Sequence, residues 1–173
     1  GQARLERPSA GQHVVMTDND PRTQLRDLIG KGGIAMLATV GEHERLEARP
    51  MDLQDFDDEN RMWFFTEYDA PKVKQLADDP RVLVTFSGKD YVSVHGTATV
   101  VQDPARQEEL WDASVNAWMQ CEPSDPKVAL IVVQAEGGQY WTSPGAPAVL
   151  LGIVAAAITH QEPSMGESEK VEL

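Results

Sequence analysis

The chain contains 173 residues, a length that fits one domain with its own hydrophobic core and leaves little room for a second. Its 41% hydrophobic and 25% charged residues are typical of a folded globular protein and exclude disorder along the whole chain. The 28 acidic against 15 basic residues give a formal net charge of -13, which disfavours nucleic acid and anionic membranes as partners.

The two ends of the chain differ in character from its middle. Residues 1–15 lack an apolar repeat and are predicted to form a flexible arm or leader, ahead of a single domain at 16–160 and a polar C-terminal tail at 161–173. The longest apolar run, at 148–158, is shorter than the roughly 20 residues of a membrane span. The single cysteine, Cys121, excludes an internal disulfide, and together these features favour a cytoplasmic location.

The first half of the domain has two helix signals and several strand signals, which do not alternate one-to-one. Asp20 and Pro21 predict the start of a helix that covers about 21–31. Apolar runs bounded by glycines or polar turns predict strands at 34–40, 46–53 and 61–66, and a short helix follows at 70–77. Strands at 81–87 and 91–102 are joined by a hairpin turn, and Gly96 predicts a bulge or a close backbone approach.

The second half contains two further helical patterns and one hairpin. A helix that opens at Asp103 is predicted to present one apolar face, which carries Leu110, Trp111, Val115, Trp118 and Met119. Strands at 128–135 and 139–142 are predicted to form a hairpin, and a helix at 148–160 is apolar on almost every side. About six antiparallel strands with peripheral helices predict a mainly β (α+β) barrel.

Two cations in this acidic chain are candidates for an anion site. Arg49 lies on the second predicted strand, and Lys72 lies at the start of the helix that follows the third strand. The planar fork of Arg49, the point charge of Lys72 and the helix N-terminus could together bind a phosphate. The alternative is that both are surface charges paired with Glu47 or Asp69.

Five motifs in a fixed order resemble one known family. They are Arg-Pro-Met at 49–51, Trp-Phe-Phe-Thr at 63–66, Ala-Pro-Lys-Val at 70–73, Pro-Arg-Val-x-Val-Thr-Phe at 80–86 and Tyr-Val-Ser-Val-x-Gly-Thr-Ala at 91–98. They resemble the general stress protein 26 group of the pyridoxamine 5'-phosphate oxidase-like, FMN-binding split barrels. The resemblance extends over about residues 20–143, and the ending Gly-Glu-Ser-Glu-Lys-Val-Glu-Leu is similar too.

The resemblance implies a six-stranded split β-barrel that forms a homodimer with two FMN sites at the subunit interface. By this resemblance Arg49 and Lys72 hold the FMN phosphate, with Thr66 close to it. Backbone groups around Pro50, Met51, Phe64 and Phe65 would line the ribityl chain and the ring edge. Trp141 would reach the flavin of the partner subunit, although it could equally belong to the core of its hairpin.

Several functions remain open at this stage. A flavin-dependent oxidoreductase, with NAD(P)H as a candidate electron donor, is the first hypothesis, and no side chain is assigned as catalytic. A non-catalytic flavin carrier is the second, and the same barrel with F420 or haem is the third; His95 is the candidate axial ligand for haem. The histidines have no metal-ligand spacing, so no metal site is predicted. The chain lacks the arginine-rich C-terminal signature of true pyridoxamine 5'-phosphate oxidases, which disfavours oxidation of vitamin B6 phosphates.

Overall fold

The computed structural model describes residues 20–143 and 167–173. The predicted N-terminal arm at 1–15 and the predicted apolar helix at 148–160 lie outside the described residues. None of the helices within the described ranges has the length and hydropathy of a membrane span.

Four helices and eight strands follow one another along the described chain. The helices are α1 (Pro21–Gly30), α2 (Pro71–Asp78), α3 (Pro104–Leu110) and α4 (Ala113–Met119). The strands are β1 (Gly33–Val40), β2 (Leu46–Leu53), β3 (Asp55–Phe56), β4 (Arg61–Glu67), β5 (Arg81–Ser87), β6 (Tyr91–Val101), β7 (Val128–Thr142) and β8 (Glu167–Glu172). A short 3-10 turn at Glu42–Glu44 joins β1 to β2.

The strands form one antiparallel sheet that curls into a half-barrel. The hydrogen-bonded order is β2-β1-β5-β6-β7-β4-β3, and β8 pairs with the second part of β7. Strands β2 and β4 lie near the two ends of this order, yet they pack beside each other, so the barrel has a seam between them. This confirms the predicted split barrel; β3 and β8 are additional strands, and the last two predicted strands are a single strand, β7.

Two apolar clusters fill the two sides of β4. Met62 and Phe64 face the interior of the half-barrel, whereas Trp63 and Phe65 face a second cluster under α3 and α4. A strand covered on both faces has a continuous apolar sequence rather than an alternating one. This explains why four consecutive large apolar residues lie on β4.

The predicted bulge at Gly96 is present, but the predicted hairpin after it is not. The β6–β7 register shifts between His95 and Gly96, and a Cβ on Gly96 would overlap the carbonyl oxygen of Gln134. The expectation of two strands at 128–135 and 139–142 was wrong, because β7 is continuous through Gly137 and Gly138. A Cβ at either glycine would lie 2.8 Å from a backbone oxygen of β8 or β6, so the pair permits close packing of strands instead of a turn.

The predicted long helix after Asp103 is two helices. Asp112 accepts a hydrogen bond from the backbone N–H of Val115 (2.8 Å) and caps a new helix, α4, after an extended residue at Trp111. The break separates the two tryptophans that the spacing placed on one face. Trp111 packs edge-on against Phe65 with ring centroids 5.2 Å apart, whereas Trp118 is 62% exposed.

Part of the predicted polar tail belongs to the sheet. Residues 167–172 form β8, which pairs with β7 from Gly137 to Thr142. Within β8 the side chain of Val171 is buried in the main core, while its neighbours Lys170 and Glu172 are exposed. A strand with one buried face needs an apolar residue at alternate positions, and Val171 provides one. A single apolar residue among polar ones was too weak a pattern to predict this strand from the sequence.

Candidate functional site

Arg49 lies on the inner side of β2, half-buried among polar partners. Its Nη1 donates to Thr39 Oγ1 (2.6 Å) and to the carbonyl oxygen of Leu37 (3.3 Å), and its Nη2 donates to Gln75 Oε1 (3.1 Å). Glu47 lies 3.6 Å from the same Nη2. Burial lowers the pKa of Arg49, and the charge of Glu47 opposes this only in part. The guanidinium is therefore held in one orientation by contacts on three sides.

Lys72 lies in the first turn of α2, close to Arg49. Burial and the positive charge of Arg49 both lower the pKa of Lys72, and the carboxylate of Glu67 opposes them. Every other partly buried lysine or arginine in residues 20–143 and 167–173 has a carboxylate oxygen within 4.0 Å of its side-chain nitrogens. Lys72 is partly buried and has none within that distance. Two cations therefore share a partly dehydrated space in which their charges are incompletely balanced.

Gln75 and Thr39 were not predicted from the sequence as parts of this site. Gln75 Oε1 accepts hydrogen bonds from Arg49 and from the buried Thr39 hydroxyl (2.8 Å), and its Nε2 donates to Glu47 Oε2 (2.8 Å). Two signals could have found them. Gln75 lies three residues after Lys72 on one helix face, and Thr39 lies opposite Glu47 in the β1–β2 register.

A groove lies at the seam; Pro50 and Met51, which follow Arg49 on β2, are among the residues that line it, whereas Arg49 and Lys72 are not. The backbone N–H of Gln54 donates to the carbonyl oxygen of Trp63 (2.9 Å), which brings the end of β2 beside β4. The groove has a volume of about 340 Å³. Its lining is Ile34, Pro50, Met51, Asp52, Gln54, Phe65, Ser114, Val115 and Trp118. It is mostly apolar with a few polar groups, which is the usual character of a small-molecule site.

The structure separates the remaining predicted residues around the seam. The Phe64 side chain is fully buried in the main core, on the opposite side of β4 from Phe65. Thr66 is also fully buried, and its hydroxyl donates to the carbonyl oxygen of Glu67 (3.1 Å). Pro50, Met51 and Phe65 thus face the groove, while Phe64 and Thr66 support it from within.

Trp141 and His95 lie on the outer face of the sheet, away from Arg49. Trp141 pairs with Tyr91, and His95 pairs with Leu83 on one side and Gly137 on the other. Trp141 is on the part of β7 beyond the residues that pair with β4, and neither Trp141 nor His95 is among the residues that line the groove. Within one chain neither residue contributes to the site at the seam.

The donor set at the seam fits a phosphate group attached to a flat apolar body. Leu37, Thr39 and Gln75 already accept three of the five N–H groups of Arg49, so Arg49 offers an anion its positive charge and its remaining N–H groups. Lys72 offers an ammonium group, and burial lowers the pKa of both cations. An anion between them would relieve their repulsion. The adjoining groove supplies an apolar slot lined by Met51 and Phe65.

Known proteins resemble the chain in both sequence and structure. Residues 20–164 match the family described as pyridoxamine 5'-phosphate oxidase like. No curated protein sequence matches the chain. A structure from Jannaschia sp. assigned to general stress protein 26 is 25% identical with a TM-score of 0.72, and the alignment covers 88% of this chain and 98% of that one.

Two proteins from Xanthomonas are similar at a higher identity. A general stress family protein of Xanthomonas campestris pv. campestris is 29% identical with a TM-score of 0.63, covering 73% of this chain and 92% of that one. The general stress FMN/FAD binding protein of Xanthomonas citri is also 29% identical, with a TM-score of 0.62, covering 71% and 89%. The resemblance to this group inferred from the five motifs is confirmed.

Proposed function

The chain belongs to the pyridoxamine 5'-phosphate oxidase-like family, and from that premise we propose that it is an FMN-binding general stress protein that acts as a flavin-dependent oxidoreductase. When bound, FMN supplies hydride or electron transfer through its ring system. The residues of this chain bind and orient the cofactor, and the substrate is unassigned. The relative from Xanthomonas citri, named for FMN/FAD binding, supports a flavin as the ligand.

The shared position of Arg49 and Lys72 is the observation that carries this proposal. Both side chains are partly buried at one end of the seam, and the pKa of each is lowered. A phosphate dianion would restore the charge balance and accept hydrogen bonds from both. Thr39 and Gln75 keep the Arg49 fork in place before the ligand arrives, which reduces the ordering cost of binding.

The groove beside this anchor provides the place for the flavin ring. Its volume of about 340 Å³ lies within the range of small-molecule sites. Met51 and Phe65 give it apolar walls, and Asp52, Gln54 and Ser114 give it polar groups for the ring edge. A flavin needs this combination of a charged anchor and a flat, largely apolar slot.

The first experiment is to identify what the purified protein carries. We expect the visible spectrum of the protein, purified without added cofactor, to have the bands of oxidised flavin, and denaturation should release FMN, identified by mass. Arg49→Ala combined with Lys72→Ala should abolish FMN retention. Lys89→Ala combined with Lys127→Ala removes the same charge from exposed positions and should retain FMN.

The outcomes separate the competing hypotheses. Failure of the wild-type protein to bind added FMN, or unchanged affinity in the Arg49/Lys72 variant, would remove the flavin assignment. A haem or F420 spectrum would replace FMN with that ligand. With FMN bound, turnover of NADH or NADPH above the rate of free flavin supports an oxidoreductase, whereas the free-flavin rate alone would indicate a carrier.

We propose in addition that a second copy of the chain covers the outer face of the sheet. Ile34, Met36, Leu83, Tyr91 and Trp141 project from this face and are each at least 40% exposed. They come from four neighbouring strands, β1, β5, β6 and β7, and they share one face of the sheet with the polar residues Thr85 and Ser93 between them. A two-fold symmetric pair would bury this surface on both copies and bring Trp141 to the other subunit.

The mass of the protein in solution tests the dimer. We expect light scattering after size exclusion to give twice the mass of the chain. Met36→Glu places a charge in the centre of the apolar surface and should shift the protein to a monomer. Tyr68→Glu changes an exposed residue outside this surface and should leave the dimer intact. A monomeric wild-type protein would contradict the proposal.

A further inference from the structure

The indole of Trp118 forms one wall of the groove at the seam and is largely exposed. Val115 and Met119 anchor α4 in the second apolar cluster, whereas Ser114 and Trp118, four residues apart on the same helix, border the groove. Trp118 remains 62% exposed. An aromatic side chain of this size gains free energy when a ligand covers it, so this wall is suited to contact a bound molecule.

The Trp118 wall is the part of the groove that stays open in the proposed assembly. Ile34, the other strongly exposed apolar residue of the lining, belongs to the sheet face that we propose a second copy covers. Trp118 lies on α4, outside that face. Met51 and Phe65 are buried, and the proposed function places the flavin ring against them. A second ligand would therefore approach the flavin along the exposed indole.

The groove has a negative charge that no side chain of the described chain neutralises. Among the described residues that line the groove, Asp52 alone carries a formal charge. No lysine, arginine or histidine nitrogen in residues 20–143 and 167–173 lies within 4.0 Å of its carboxylate. An oxidised flavin ring is uncharged and would leave this charge uncompensated. Together with the net charge of -13, Asp52 makes the groove attract cations and repel anions.

We propose that the open part of the groove binds a planar aromatic cation, which stacks on Trp118 and is attracted by the carboxylate of Asp52. The inference rests on the proposed function and goes beyond it by naming the chemical class of the second ligand. Indole is the side-chain ring that attracts a cation most strongly through its face, and the carboxylate supplies the opposite charge. A neutral ring of the same shape keeps the stacking alone, and an anionic ring meets repulsion. The expected order of affinity is therefore cation, neutral molecule, anion.

Three probes that share one ring test this order on the FMN-loaded protein. They are 1-methylnicotinamide, which is a cation, nicotinamide, which is neutral, and nicotinate, which is an anion at neutral pH. Isothermal titration calorimetry with FMN at saturation gives each dissociation constant. We expect 1-methylnicotinamide to bind about threefold or more tightly than nicotinamide, and nicotinate to bind more weakly than both, because one unit charge changes sign near a carboxylate. High salt should reduce these differences, since screening weakens a charge effect.

Two substitutions separate stacking from charge. Trp118→Ala should weaken binding of the cation about 5- to 30-fold, and Trp118→Phe should restore part of the loss. Asp52→Asn should reduce the preference for 1-methylnicotinamide over nicotinate by about threefold or more and change the affinity for nicotinamide little. Tyr68→Ala removes an exposed aromatic ring that does not line the groove, and Asp27→Asn removes an exposed carboxylate on α1. Both controls should bind the three probes as the wild type does.

FMN binding is measured first on every variant, so that the two proposals fail separately. Wild-type protein that does not bind FMN would overturn the proposed function and this inference with it. FMN-loaded wild-type protein that binds nicotinate as tightly as 1-methylnicotinamide, or that binds none of the three probes, would overturn this inference alone. Unchanged affinity for the cation in Trp118→Ala would do the same.

Discussion

Lys72 should contribute to ligand binding at the expense of the stability of the ligand-free protein. Its ammonium group is partly buried next to Arg49, and its pKa is lowered by burial and by that neighbouring charge. A folded-state pKa below that of the unfolded chain means that the protonated lysine destabilises the fold at neutral pH. Lys72→Met keeps the apolar stem and removes the charge. We expect the free energy of unfolding without ligand to stay within about 1 kcal/mol of wild type, on the stabilising side.

With FMN present the same substitution should be costly. Loss of one charge-assisted hydrogen bond to the phosphate is worth about 1.5 to 3 kcal/mol, so the affinity for FMN should fall about 10- to 150-fold. At an FMN concentration of about 100 times the wild-type Kd, binding stabilises the wild-type protein by about 2.7 kcal/mol. For a chain of this size that raises Tm by about 5 to 10 °C. A thirtyfold weaker Kd would leave about 0.9 kcal/mol, or about 2 to 4 °C.

Thermal unfolding with and without FMN measures both effects in one experiment. The matched control is Lys74→Met on the same helix, because Lys74 is exposed and its pKa is raised by the hydrogen bond to Asp78. The control should lose a little stability without ligand and keep the full FMN shift. The reasoning would be refuted if Lys72→Met lowered the ligand-free Tm more than Lys74→Met, or if it kept the wild-type FMN shift.

Three further outcomes are expected. Gly96→Ala should lower the free energy of unfolding by about 3 kcal/mol or more in urea titrations, because its Cβ would overlap the Gln134 carbonyl, whereas Gly88→Ala has open space and should be neutral. Burial alone would raise the pKa of Asp57, but hydrogen bonds from Trp63 and Arg61 outweigh it and lower the pKa. The stability that the ionised Asp57 contributes should therefore be present above about pH 3.8 and lost as the pH falls through the lower pKa of the folded state. Asp57→Asn should lower the free energy of unfolding at pH 7 by about 1 to 2 kcal/mol. For Lys72 the sign is opposite: ligand-free stability should rise as the pH increases from the lowered folded-state pKa towards 10.5, and this rise should be absent in Lys72→Met.

Much of the barrel could be predicted because its strands have clear ends. The predicted strand at 46–53 agrees with β2 and that at 81–87 agrees with β5, since polar turns or prolines bound both runs. The prediction of a last hairpin was wrong because glycine occurs both in turns and at close contacts between strands. Gly137 and Gly138 have the composition of a turn, but they allow neighbouring backbones to approach within a continuous strand. That use depends on what lies across the sheet, which the local sequence does not contain.

The site was predictable to a similar degree. Arg49 and Lys72 were identified from their residue types and the strand and helix that carry them, and the structure brings them together. The alternative hypothesis was that Arg49 is a surface charge paired with Glu47. The structure has this ion pair, and Arg49 also lies close to Lys72. Gln75 was missed because an uncharged side chain on a short helix becomes informative only when its three partners are known.

The net charge of -13 and an anionic ligand are compatible because the two act over different distances. At physiological ionic strength the Debye length is about 8 Å, so the field of distant surface carboxylates is largely screened at the seam. Arg49 and Lys72 are partly buried and would act on a phosphate at contact, where screening is weak. By the same argument the acidic residue that matters most is the nearest one. Glu47, 3.6 Å from Arg49, is therefore the carboxylate that competes most directly with an anion for this guanidinium.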